Sequence, residues 1–230
     1  GHGYEIPGAD VSSDSTLIAS ACRSNTPQHA VIRIFDTKNW SEVKPFLSFH
    51  ALTITKLRFS KDNRLLLSVS RDRKWAIWER NFEDNSFALK HSNEKAHTRI
   101  IWDCDWAPLE FGEVFVTGAR DKSIKVWKND DATHDFAGVG SLKLGEPVTA
   151  VSVYGSAIEG KIVIAVGLES GPIQIYSFGS AFELLTELDD SMTPAGKIMR
   201  LRWSSLQRDG KLSLGVASSD CSCRVYSLHL

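Results

Sequence analysis

His97-Thr-Arg-Ile-Ile-Trp-Asp-Cys-Asp-Trp106-Ala-Pro108, continued by Val114-Phe-Val-Thr-Gly-Ala-Arg-Asp121-Lys-Ser-Ile-Lys-Val-Trp127, decides the fold. Three apolar-alternating runs, at about 100–106, 114–118 and 123–127, are separated by turns holding Pro108 and Asp121. Alternation of β-branched and aromatic residues between such breakers predicts antiparallel strands. Fixed polar positions mark the ends: His97 before the first strand, Thr117 four residues before Asp121, and Trp127 six residues after it.

Recurrence turns this stretch into a code. Stepping back 49 residues from Trp127 reaches Trp78, which lies six residues after Asp72 and 28 after His50, with Ser68 four before the aspartate. Stepping forward 49 and then 50 residues reaches Tyr176 and Tyr226, and stepping back 43 from Trp78 reaches Phe35. Five units at this spacing are the WD-repeat pattern, in which each unit is one four-stranded blade of a β-propeller. The fold class is therefore all-β, with blades at about 1–48, 49–94, 95–144, 145–190 and 191–230, the last lacking its fourth strand. The whole chain reads as one partial propeller domain. Because it opens within a repeat, the expectation is a C-terminal part of a seven-bladed ring, completed by blades and a strand from elsewhere in its own chain.

The code has a physical reason. A buried Asp accepts from the His ring and turn amides, the His reaches a hydroxyl, and that hydroxyl meets the Trp indole. Such a network fixes register only when every member is satisfied. His50, Ser68, Asp72 and Trp78, and again His97, Thr117, Asp121 and Trp127, are thus read as structural. A hydrolase triad is the rival. It fails because the set recurs and no Gly-x-Ser-x-Gly accompanies it. Repeat one carries Arg23-Ser-Asn-Thr-Pro-Gln28 where its aspartate should be, so its network is expected to be lost. Repeat four substitutes Gly145, Ser170 and Tyr176. Repeat five keeps Asp220 alone.

Other chemistry dissolves on inspection. The chain of 230 residues has 24% charged residues and net charge −1, so a nucleic-acid contact would need a local patch. Phosphate loops and His-Glu-x-x-His are absent, no cofactor is expected, and no apolar run reaches the roughly 18 residues of a membrane span. Cys22, Cys104, Cys221 and Cys223 read as reduced core thiols of a cytoplasmic protein, which a nuclear location would also suit. Cys221-x-Cys223 is too tight for a zinc knuckle. Asn39-Trp-Ser41 is a glycosylation sequon with no sign of secretion beside it. Asp130-Asp131 and Asp189-Asp190 read as solvated loop charge, as do the excursions Glu79–Ser86 and Asn129–Asp135 with Gly138 and Gly140. Trp40, Trp75, Trp102, Trp106 and Trp203 read as core between blades, Trp102 having a rim position as the alternative.

One feature points to binding. Arg71 and Arg120 immediately precede the code aspartates, Arg73 and Lys122 follow them, and Arg99 stands two residues after His97. These five cations are expected on one end of adjacent blades. Guanidinium clusters suit an acidic protein surface or phosphate, through paired donors. Solvated turn charge, or neutralisation of the buried aspartates, is the alternative.

Longer strings are more specific than the repeat code. His50-Ala-Leu-Thr-Ile-Thr-Lys-Leu-Arg-Phe-Ser60, Ser70-Arg-Asp-Arg-Lys-Trp-Ala-Ile-Trp-Glu-Arg-Asn81 and His97-Thr-Arg-Ile-Ile-Trp-Asp103 resemble the family of second subunits of the Elongator complex. So do Trp106-Ala-Pro-Leu-Glu-Phe-Gly112, Arg120-Asp-Lys-Ser-Ile-Lys-Val-Trp127, Gly1-His-Gly-Tyr-Glu-Ile6 and Ile18-Ala-Ser-Ala-Cys-Arg23. The resemblance covers nearly the whole chain and is weakest over 130–195. It implies two tandem seven-bladed propellers, with this chain most of the second. It also implies a non-enzymatic scaffold that helps hold the catalytic subunit and the largest propeller subunit in the assembly that modifies wobble uridines of tRNA. Transcription and signalling roles attach to the same family. The resemblance carries over no catalytic residue. Direct RNA binding through the basic rim, and an adaptor role in another complex, are the competing readings.

Overall fold

The computed structural model describes residues 2–130, 132–155, 160–188, 193–204 and 211–229. Asp131, Asp189, Asp190 and both terminal residues lie outside that range. Among the described residues nineteen strands form antiparallel sheets, four of four strands and one of three. The chain divides into two compact units at Trp106/Ala107.

The first unit holds β1 (Gly8–Val11), β2 (Leu17–Ala21), β3 (Val31–Asp36) and β4 (Glu42–Ser48), paired in chain order. A second meander follows, of β5 (Ile54–Phe59), β6 (Leu65–Ser70), β7 (Trp75–Arg80) and β8 (Phe87–Asn93), and then β9 (Ile101–Trp106). Leu17, Ile32 and Ile34 of the first sheet meet Leu57, Leu66 and Trp78 of the second in one core. All of β5 and β6 is buried, whereas β4 and β8 are largely exposed. Burial on both faces explains why Leu65-Leu-Leu67 is a continuous apolar run instead of an alternation. The first strand of the first repeat begins at Gly8. Pro7 has no N–H for a ladder, which sets that limit.

The second unit holds β10 (Val114–Ala119), β11 (Ser123–Asp130) and β12 (Asp135–Lys143). A complete meander follows: β13 (Val148–Tyr154), β14 (Ile162–Leu168), β15 (Ile173–Phe178) and β16 (Phe182–Glu187). It ends on β17 (Ile198–Trp203), β18 (Leu212–Ser218) and β19 (Cys223–Leu228). Two cores result, one from Val116, Val126, Val151 and Ile164, the other from Ile173, Leu201, Leu214 and Val216. Gly118 lets β10 approach β13 closely: a Cβ there would stand 2.5 Å from the Val148 methyl. Gly138 and Gly140, expected in a loop, instead lie inside β12. A Cβ on Gly140 would collide with the Phe178 ring. That packing, not turn geometry, explains the residue.

Two further expectations change. Trp75, Trp106 and Trp203 are buried and Trp102 is half-buried, but Trp40 is 69% exposed. It occupies the tight turn between β3 and β4, outside both strands. Cys22 and Cys104 are buried, while Cys221 and Cys223 are exposed, so the second pair are not core thiols; all four are free. Cys221 lies in the β18–β19 turn and Cys223 opens β19, whose side chains alternate between exposed and half-buried.

Candidate functional site

The turn between β6 and β7 builds the site. Its chain reverses through Ser70–Arg73, with the Arg73 amide donating to the Ser70 carbonyl at 3.2 Å. Arg73 then takes a left-handed φ of 74° to rejoin the sheet. A turn closed by a left-handed residue in this way is a common short hairpin connection. The equivalent turn of the second unit repeats it, with the Lys122 amide on Ala119 at 3.2 Å and φ 66°.

Inside the first turn the expected polar set is assembled. His50 Nδ1 meets Asp72 Oδ2 at 3.0 Å, and His50 Nε2 meets Ser68 Oγ at 2.9 Å. The Trp78 indole donates to Ser68 Oγ at 3.0 Å. The Ala51 and Lys74 amides donate to the Asp72 carboxylate at 2.9 and 3.0 Å. Burial opposes ionisation of Asp72, but the hydrogen bond and charge of His50, then the two amides, outweigh it and hold the carboxyl below its usual range. Every polar atom has a partner in a nearly dry site, the condition under which such a network fixes geometry.

In the second unit the Trp127 indole donates to Thr117 Oγ1 at 2.9 Å, and the Ser123 hydroxyl to Asp121 Oδ1 at 2.5 Å. The Lys143 ammonium caps the Asp121 carbonyl. His97 belongs to the first unit, where it is buried and its amide donates to the Arg73 carbonyl at 3.3 Å.

Degenerate repeats replace the network in different ways. In the first, His2 Nε2 meets Ser20 Oγ at 2.8 Å, so the histidine–hydroxyl half survives where a complete loss was expected. The 18-residue spacing of His2 and Ser20 equals that of His50 and Ser68, and was the clue available in the sequence. Burial, then the charge of Arg33, lowers the His2 pKa. In the fourth, the Ser170 hydroxyl and amide donate to Glu146 at 2.8 and 3.1 Å. A carboxylate from the facing segment thereby does the work of the missing aspartate. In the fifth, Asp220 is exposed and binds the Ser222 and Ala195 amides at 2.9 and 3.1 Å.

The arginines divide sharply. Of eight arginines in residues 2–106, Arg23, Arg33, Arg58, Arg64 and Arg80 are ion-paired with carboxylates. Among the described residues Arg71, Arg73 and Arg99 have no such partner. Asp72 is satisfied by His50 and amides, so these arginines do not neutralise it. Arg71 is half-buried; Arg73 and Arg99 are exposed. One end of the unit holds all three, since the Arg71 amide donates to Thr53 and the His97 amide to Arg73. Arg120 and Lys122 are exposed on the equivalent turn of the second unit, Lys122 Nζ donating to the Gly145 carbonyl at 2.9 Å.

A second charge system was not read from the sequence. Lys56 Nζ lies 3.4 Å from Asp103, and Arg58 lies 3.2 Å from Asp105 and 3.5 Å from Asp10, all little exposed. Its signal was present as charges two residues apart, Lys56 and Arg58 on one strand, with Asp103 and Asp105 of opposite sign on another. No group of side chains that could hold a metal occurs among the described residues, and no helix there is long and apolar enough to cross a membrane.

The family model described as WD domain, G-beta repeat matches residues 41–79 and 90–128. The chain is 61% identical over 230 residues to Elongator complex protein 2 of Saccharomyces cerevisiae, covering 99% of this chain and 29% of that protein. Identity to the protein of that name in Schizosaccharomyces pombe is 38%, over 100% of this chain and 30% of the relative. For Homo sapiens it is 40%, over 77% and 23%. The chain thus spans under a third of the length of these curated relatives.

Proposed function

Homology to Elongator complex protein 2 runs through the whole of this WD-repeat chain, and from that premise we propose a non-catalytic scaffold that docks an acidic surface of a neighbouring Elongator subunit. The neighbours proposed are the catalytic subunit and the largest propeller subunit. The chain's contribution to wobble-uridine modification is then indirect, through assembly.

The observation that carries this reading is the unpaired arginine set. A guanidinium left without a carboxylate, in a chain whose other arginines in the same unit are paired, is available to a partner that brings one. Arg73 has a further property, which Lys122 shares on the equivalent turn of the second unit. Both occupy left-handed positions that glycine would fill with less strain, as Gly171 does in the fourth repeat. The cation is kept at a conformational cost.

Reversing Arg71 and Arg120 to Glu in the full-length protein tests the proposal. The variant is expected to melt as the parent does, to lose co-purification of the catalytic subunit, and to lower wobble-uridine modification in cells. Unchanged assembly and modification would return the arginines to ordinary solvated charge. The same exposed guanidiniums would suit RNA phosphates. That alternative requires affinity for RNA that falls steeply with salt, as counterion release dictates.

A further inference from the structure

Turns of an antiparallel meander alternate between the two ends of the sheet. In the first unit the arginine-bearing β6–β7 turn lies at one end, and the β3–β4 and β7–β8 turns lie at the other. That other end carries two exposed rings, Trp40 at 69% and Phe82 at 59%.

Trp40 is the more unusual. Its φ is 60°, a left-handed conformation costly for a bulky residue. The turn enforces it: the Trp40 amide donates to the Asp36 carbonyl at 2.9 Å. The Lys38 amide caps Asp36 Oδ1 and the Ser41 amide caps Asn39 Oδ1, each at 2.8 Å. The turn is then bolted to its neighbours. The Thr37 amide donates to Thr16 at 2.9 Å and its hydroxyl to the Ser15 carbonyl at 2.7 Å. Arg80 reaches the same segment, donating to Thr16 Oγ1 at 3.4 Å and to Asp14 at 3.5 Å, while its guanidinium lies 4.9 Å from the centre of the Phe82 ring. Both rings therefore stand on one hydrogen-bonded base. The fold makes no use of the Trp40 ring, which has no hydrogen bond or ring contact among the described residues.

We propose that Trp40 and Phe82 are paired anchors for a protein neighbour that presents an apolar socket bordered by cations. Rigid, protruding aromatic side chains lose little entropy on burial and supply most of the energy of many interfaces. Charge selects the border on the Phe82 side, where Glu83 and Asp84 follow the ring directly and are both exposed, while Lys38 is the exposed charge beside Trp40. The Phe82 side therefore asks for lysine or arginine, the opposite of what the unpaired arginines ask for. A scaffold gains a second, chemically distinct contact by this means. The proposal rests on residues other than the rim and stands if the rim proves inert.

The test uses the full-length protein in its assembled complex. With a benzophenone amino acid in place of Trp40, irradiation is expected to crosslink another subunit at an apolar segment next to Lys or Arg. Trp40→Asn keeps a residue that tolerates the left-handed turn. It is expected to melt no lower than the parent, yet to bind the crosslinked subunit about tenfold or more weakly, as loss of an interface anchor does. Phe82→Ala should weaken the same contact and leave contacts of the arginine end unchanged. Crosslinks confined to the chain itself or to a second copy would overturn the proposal. So would affinity within about twofold of the parent, or a lower melting point with Trp40→Asn, which would make the ring structural.

Discussion

Asp72 shows how one carboxylate commands a turn. It accepts from a ring and two amides in a site where water cannot replace it. Asp72→Ala is expected to lower stability by about 2–4 kcal/mol, read by denaturant unfolding. Asp220→Ala should cost less, because that residue is exposed and faces no histidine. Equal losses at both sites would remove the structural role of the code. The pH dependence follows from the lowered pKa of Asp72. A depressed carboxyl stabilises the fold above its unfolded value of about 4, and the contribution is lost as pH falls through the folded value. Unfolding free energy of Asp72→Asn should therefore vary less between neutral and acid pH than that of the parent. Asp14 deserves a separate measurement. Against a partial desolvation that raises it, bonds from Ser12 and Thr16 and the charge of Arg80 lower its pKa to about 2. A carboxyl NMR titration should find it ionised well below the usual range. Arg73→Gly should stabilise by up to about 1 kcal/mol through relief of the left-handed backbone, while weakening the partner contact.

At the scale of the strand, the repeat period was legible because alternation and turn residues recur, and the runs read at about 100–106, 114–118 and 123–127 fall in β9, β10 and β11. The polar set of the second repeat was legible for the same reason. Trp40 was not: aromatic character predicts burial only on average, and its placement depends on a turn whose left-handed residue leaves no mark in composition. Gly138 and Gly140 misled in the opposite sense, since a glycine that admits a neighbouring ring reads like one that makes a turn. The buried ion pairs escaped because pairing between strands some 45 residues apart is invisible to a local window. Arg58 separates the two kinds of arginine. Arg58→Ala should destabilise by about 3–5 kcal/mol, leaving buried carboxylates unpaired. Arg71→Ala should change stability by less than about 1 kcal/mol, a contrast read by thermal melting. Gly118→Ala belongs with Arg58, because its methyl would need to displace the Val148 side chain.

For the molecule as a whole, the division at Trp106/Ala107 does not respect the sequence period. The third repeat opens at His97, yet β9, its first strand, gives Asp103 and Asp105 to Lys56 and Arg58 of the preceding repeat. The sequence repeat and the compact unit are therefore offset, the unit boundary falling after β9. Genetic exchange that removed the third repeat at its coding boundary would leave buried Lys56 without Asp103 and Arg58 with Asp10 alone, so such deletions should be poorly tolerated. The same offset sets a rule for anyone dissecting the gene. A fragment ending near residue 95 should melt lower than one extended through Trp106, because only the second keeps Asp103 and Asp105 beside Lys56 and Arg58.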